Sequence, residues 1–213
     1  MREFFKKFKG MSIAYPVMVM VVICLVITAA LAGTNMLTNK KISAISEKNE
    51  KAAMAELIPA DTYETYTVKS GSDTYTYRTA VKNGKLAGYI FSLSEKGYGG
   101  TVSVMVAVAP SGEVSAVRVL DVSNETPGLG QNTSREEFLK QFKGKSSKIT
   151  AVKYGIASGD DEIDAVASAT ITSKAVTSAV NKAIDLTASV KELSAAANVD
   201  TASQAMDKEG ETQ

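Results

Sequence analysis

Hydrophobic positions along the chain fall into three regimes. Residues 13–32, IAYPVMVMVVICLVITAALA, carry no charge. About 20 apolar residues at 1.5 Å per residue match the roughly 30 Å hydrocarbon core of a bilayer. Pro16 lies near the start, where a missing N–H costs least. A membrane helix over 13–37 is predicted, with a short N-terminal segment, 1–12, before it. Residues 38–60 are rich in Ala, Lys and Glu and read as a helical stalk stopped by Pro59.

From Tyr63 the pattern shifts to period two. Tyr63, Tyr66, Tyr75 and Tyr77 alternate with Thr and Val, as strands do. Asn83-Gly84 marks a tight hairpin turn, with residues 86–94 as the return strand. In TVSVMVAVA, residues 101–109, Val102, Val104, Val106 and Val108 share one face. Pro110-Ser111-Gly112-Glu113 is a turn before a strand over 114–122. These strands predict an antiparallel meander with one buried face. Ser134-Arg135-Glu136-Glu137 has capping-box form and opens a short helix through Phe142, closed by Gly144. Residues 149–154 are a candidate last strand. Over 172–190, Val176, Val180, Ala183, Ile184 and Leu186 fall near helical spacing. From Ser194 little can pack, and 194–213 reads as a disordered tail. The fold class is therefore α+β, an N-terminal membrane helix followed by an antiparallel-sheet domain with flanking helices over 61–193.

Charge orients the membrane segment. Arg2, Lys6, Lys7 and Lys9 against Glu3 favour a cytoplasmic N-terminus, and Lys40 and Lys41 weaken that bias without reversing it. The polar remainder then lies outside the cytoplasm, a single-pass arrangement in the cell (inner) membrane. A cleaved signal peptide ending at Ala30-Leu31-Ala32 is the main competitor, but its apolar core exceeds the usual length of about 7–15 residues. A lipoprotein is disfavoured by Cys24 lying inside the apolar run, and a pilin-like subunit by Tyr15 where an early acidic residue is wanted.

Composition narrows the chemistry. The net charge of +1 gives no pull toward nucleic acid. No His is present, which excludes His-based triads and His-ligated zinc or haem. The single Cys, Cys24, excludes an internal disulfide, a cysteine-ligated cluster and a CxxC redox pair. Redox work would need an organic cofactor. No catalytic residue and no metal ligand is predicted.

The informative stretch is DAVASATITSKAV, 164–176. Ala167, Ser168 and Ala169 would let the backbone approach a ligand closely. Thr170, Thr172 and Ser173 offer hydroxyls at a helix mouth, whose unpaired N–H groups and dipole favour an anion. The same residues also suit plain helix capping, and on physical grounds alone both readings stand.

This stretch resembles the flavinylation motif Asp-x-x-Ser/Thr-Gly-Ala-Thr. That motif belongs to the FMN-binding domain shared by the G subunit of the Rnf electron-transport complex and the C subunit of the sodium-translocating NADH:quinone reductase. The resemblance makes Thr170 the threonine joined to FMN as a phosphoester, Ala169 the alanine and Asp164 the leading acid. The chain departs from the motif with Ala167 in place of Ser or Thr, and Ser168 in place of Gly. Gly97-Tyr98-Gly99-Gly100 and Glu125-Thr126-Pro127-Gly128-Leu129-Gly130 resemble a segment of the Rnf G subunit. On that resemblance Glu125, Thr126, Gly128 and Leu129 approach the flavin, with Gly128 and Gly130 allowing close backbone contact. A solvent-facing Glu125 is the alternative.

The resemblance implies a relay carrying covalent FMN in a membrane complex that couples ferredoxin/NAD electron transfer to Na⁺ or H⁺ movement. Its partners would be other membrane and iron–sulfur subunits, a flavin transferase and the lipid bilayer, with no nucleic acid. Alternatives are a component of the quinone reductase, a stand-alone surface flavoprotein, and a cofactor-free membrane-anchored assembly module.

Overall fold

The computed structural model describes residues 14–209. The expected cytoplasmic segment 1–12 and the last four residues of the expected tail lie outside them. The chain divides into two compact units, residues 1–49 and 50–213.

Helix α1 covers Ala14–Leu57. Within the first unit, Pro16–Met36 has a mean hydropathy of 2.6 and is long and apolar enough to cross a membrane.

The second unit is built on a five-stranded antiparallel sheet. Its strands are β1 (Thr62–Ser70), β2 (Asp73–Lys82), β3 (Lys85–Lys96), β4 (Thr101–Val108) and β5 (Val114–Asp121), neighbours in that order. Asn83 and Gly84 join β2 to β3 with φ of 51° and 70°, the sign pair of a type I′ hairpin turn. After β5 come a 3₁₀ turn (Gly130–Ser134), a one-turn helix α2 (Glu136–Leu139) and a second 3₁₀ turn (Lys140–Phe142). Strands β6 (Thr150–Val152) and β7 (Glu162–Asp164) form a separate parallel pair, and helix α3 covers Thr170–Glu209.

The main core lies between the sheet and α3. Val102, Val104, Val106 and Val108 of β4 meet Val176, Ala179, Val180, Ala183 and Leu186, with Phe91, Phe138 and Phe142 filling the same cluster. Fully burying a side chain of this size contributes about 1.5–3 kcal/mol.

Three expectations need correction. The sheet is buried on both faces, not one: Ala80, Ile90, Met105 and Ala107 pack under Ala53, Met54 and Ile58 at the end of α1. The β4 alternation sets Val against Met and Ala, so its second face is apolar too. The last part of the expected stalk is thus part of the domain, fastened by Glu50, which pairs with Arg78 at 2.6 Å and accepts from Ser92 Oγ at 2.9 Å. Next, the capping box does not form. Ser134 closes the 3₁₀ turn by donating to Gln131 O at 2.7 Å, and Arg135 stands at the N-cap of α2 with no side-chain cap. Finally, the strand expected over 149–154 is three residues long and has a parallel partner, β7, that the pattern did not announce.

Helix α3 continues in backbone as far as Glu209. Val190 is the last buried residue among those whose side chains are described.

Candidate functional site

The start of α3 is set by its first helical hydrogen bond, Ser173 N–H to Ala169 O at 2.9 Å. Ala169 is therefore the N-cap, and Thr170, Ile171 and Thr172 are the first three helical residues. Their N–H groups have no carbonyl four residues back. An N-cap Ser, Thr, Asp or Asn normally accepts from this turn, but Ala169 has no polar side chain to do so. The capping reading of this hydroxyl-rich stretch therefore fails at the position where it matters.

The three hydroxyls have different fates. Ser173 Oγ accepts Val166 N–H at 3.0 Å and donates to Ala169 O at 2.9 Å, which stitches the preceding turn to the helix. It is fully buried and does not face the cavity described below. Thr172 Oγ1 donates to Glu125 Oε2 at 2.7 Å. Thr170 is half-buried, and its hydroxyl has no protein partner among the described residues.

The turn before the helix is closed by Ala169 N–H to Val166 O at 2.9 Å. Its third residue, Ser168, has φ of 60°. A negative φ at Ala167 followed by a positive one is the pattern of a type II turn, which favours Gly at that place. This gives the physical reason for the motif's glycine. The serine side chain costs about 1–2 kcal/mol in this conformation. Ser168→Gly is expected to stabilise the protein by a net ~0.5–1 kcal/mol, because glycine also loosens the unfolded chain. Urea unfolding of the two proteins checks this.

The 97–100 and 125–130 segments converge on the side chain of Glu125, which is buried, so the solvent-facing alternative is excluded. Oε1 accepts Gly99 N–H at 3.0 Å while Oε2 holds Thr172. A Cβ on Gly97 would lie 2.3 Å from Oε1, and one on Gly130 2.6 Å from Oε2. Gly130 thus makes room for the carboxylate. Gly128 serves the turn instead. With φ of 75° it follows Pro127 where Leu129 N–H closes onto Thr126 O at 3.2 Å, and it does not face the cavity.

These segments enclose a cavity of ≈ 510 Å³. Glu125, Thr126, Leu129, Ser168, Ala169, Thr170 and Thr172 line it, seven of the residues picked from sequence. Gly130, Tyr98 and Ile171 complete the wall. Tyr98 and Ile171 are more than half exposed, at 72% and 54%, and Leu129 is 40% exposed. Three large apolar side chains therefore stand open to solvent around one mouth. Ile171 was missed in the sequence because it sits between two threonines, and only its place in the first turn of α3 marks it. Ala167 is exposed on the turn and lies outside the cavity, on the wall of a neighbouring cleft that also includes Asp164. Asp164 acts on the fold: Oδ1 accepts Ile156 N–H and Ala157 N–H, both at 3.0 Å, and its backbone pairs with the Gln141 amide.

Another cleft, of ≈ 590 Å³, runs between the end of α1, β5 and α2. Its walls carry the Arg118–Glu56 ion pair with Glu136, Lys140 and Lys143. It shares no residue with the hydroxyl-bearing cavity.

The FMN-binding domain family matches residues 97–185, which hold all three converging segments. The chain is 43% identical over 107 residues to the G subunit of the proton-translocating ferredoxin:NAD(+) oxidoreductase complex of Clostridium ljungdahlii. That match spans 50% of this chain and 56% of the relative. It is 34% identical to the G subunit of the Na(+)-translocating ferredoxin:NAD(+) oxidoreductase complex of Acetobacterium woodii, over 79% of this chain and 88% of that one. In fold it resembles the C subunit of the Na(+)-translocating NADH-quinone reductase of Parabacteroides distasonis, with a TM-score of 0.51 and 24% identity over 64% of this chain and 79% of that chain. The chain belongs to the G-subunit family of the Rnf, or ion-translocating ferredoxin:NAD(+) oxidoreductase, complexes.

Proposed function

We propose that this chain is the flavin-carrying relay of a membrane-bound complex that couples ferredoxin/NAD electron transfer to Na⁺ or H⁺ translocation, with FMN joined to Thr170 Oγ1 as a phosphoester. The observation that carries the reading is the first turn of α3. Its N-cap is an alanine, its leading N–H groups are free of a side-chain cap, and Thr170 alone of three hydroxyls is uncommitted.

The residues present fit the group. The N–H groups of the first turn would hold the phosphate, with the Ser168 hydroxyl beside them. Tyr98, Leu129 and Ile171 offer apolar surface for the flavin ring. The cavity volume falls within the usual range of small-molecule sites, about 300–1,000 Å³. When bound, FMN supplies the ability to take up and pass on electrons. Forming the ester takes the proton from Thr170 Oγ1 and makes a new O–P bond. A flavin dinucleotide donor would lose its nucleoside monophosphate in the same step, which a flavin transferase would catalyse.

A covalent tether suits a domain outside the cytoplasm, where a dissociated cofactor is lost. The basic residues before the apolar helix support that orientation. The helix would anchor the relay in the cell membrane among the other membrane and iron–sulfur subunits, raising its effective concentration near neighbouring redox centres.

Full-length protein made together with its attaching enzyme tests the reading. Flavin absorbance is expected to stay with the polypeptide through denaturation, and the other subunits are expected to copurify from gently solubilised membranes. A flavin-free chain in the presence of the enzyme would overturn the attachment. Recovery with quinone reductase subunits would overturn the assignment of the complex.

A further inference from the structure

Among the described residues the cavity wall carries one acidic side chain and no basic one. Glu125 is 3% exposed and accepts only from neutral donors, Gly99 N–H and the Thr172 hydroxyl. Both of its oxygens have a hydrogen-bond partner. No Lys or Arg lines the cavity among the described residues. A buried carboxylate without a cation is costly. The chain nonetheless makes space for it, since side chains at Gly97 and Gly130 would strike its two oxygens. The positive end of α3 offsets part of the cost, because Thr172 lies in the first turn.

This arrangement matters for a redox group in the cavity, and its consequence for FMN rests on the reading that FMN is attached at Thr170. Each electron the flavin takes up adds negative charge unless a proton accompanies it. A fixed negative charge in a wall of low dielectric opposes that addition, and among the described residues no cation lining the cavity favours it. We propose that Glu125 sets the potential of the bound FMN, holding it low so that the flavin exchanges electrons with a strongly reducing partner.

The test is a spectroelectrochemical titration of the FMN-loaded full-length chain and its variants at one pH. In Glu125→Gln the amide oxygen can still accept from Gly99, and the amide nitrogen can donate to Thr172 Oγ1. Shape and contacts are kept while the charge is lost, and the midpoint potential is expected to rise. Glu125→Asp keeps the charge but disturbs the fit, and its potential is expected to stay near that of the unaltered protein. A purely packing role would move Glu125→Asp at least as far as Glu125→Gln. An unmoved Glu125→Gln, or an equal rise in both, overturns the inference. If Glu125→Gln takes up no flavin, Ile171→Lys serves instead. It places a cation on the same wall at a position 54% exposed, and it is expected to raise the potential. No rise there overturns the inference as well. Loaded protein with unmoved variants sinks this inference alone, whereas an unaltered chain that never takes flavin sinks the attachment reading and this one with it.

Discussion

Thr170→Ala is expected to yield a folded protein with no flavin that survives denaturation. The hydroxyl has no protein partner among the described residues, so its loss leaves no donor or acceptor stranded. Alanine is also the better helix former by up to ~0.7 kcal/mol. The thermal midpoint should therefore stay within about 2 °C of the unaltered protein. Non-covalent FMN would not compensate. The cavity wall has no cation to hold a phosphate among the described residues. A helix N-terminus contributes about 0.3–1 kcal/mol, up to ~2 in buried geometry, against roughly 8 kcal/mol for micromolar binding. The remainder would have to come from a ring resting on three partly exposed side chains. Flavin fluorescence on a denaturing gel, read beside thermal unfolding, checks both halves. A bright Thr170→Ala band would move the attachment elsewhere.

Gly99→Ala is expected to destabilise the protein by about 3 kcal/mol and to spoil the cavity. A Cβ there would lie 2.0 Å from Asn124 O, a backbone atom with no rotamer in which to retreat. Overpacking of this kind costs about 1–3 kcal/mol. Movement of the 97–100 loop would also break the bond from Gly99 N–H to Glu125 Oε1, leaving a buried acceptor unpaired at a further ~1–3 kcal/mol. Gly128→Ala provides the contrast. Open space surrounds it, so only its φ of 75° penalises the change, by about 1–2 kcal/mol. Urea denaturation of the two variants should separate them, with Gly99→Ala the less stable. Equal effects would mean that the 97–100 loop is not clamped between Asn124 and Glu125.

Much of the fold was legible where the signal is local. Asn83-Gly84 specified its hairpin because two adjacent positive φ values suit few other residue pairs. The apolar stripe of α3 was visible because its spacing repeats over several turns. The second sheet face was not legible. Its cover consists of Ala53, Met54 and Ile58 within a segment otherwise rich in charge, and three apolar residues at the end of such a segment do not announce a core. The β6–β7 pair was missed because three-residue strands carry no periodicity.

The site divides in the same way. The sequence identified a hydroxyl-rich helix start but could not rank Thr170, Thr172 and Ser173 by physics alone. Ranking them requires their partners, and Thr172 is engaged by a carboxylate 47 residues away. Once Glu125 takes Thr172 and the turn takes Ser173, Thr170 is the one of these three left without a partner among the described residues. Among those residues geometry leaves the hydroxyls of Thr170 and the exposed Ser168 without protein partners, and the family resemblance selects Thr170. Geometry also explains the motif's glycine, through the positive φ at Ser168.

Peptide mapping of the flavinylated protein by tandem mass spectrometry tests the central claim most directly. The peptide spanning 164–174 should carry the mass of FMN less one water, with fragment ions placing it on Thr170. The same mass on Ser168, Thr172 or Ser173, or an unmodified peptide from protein made with its attaching enzyme, would contradict the account.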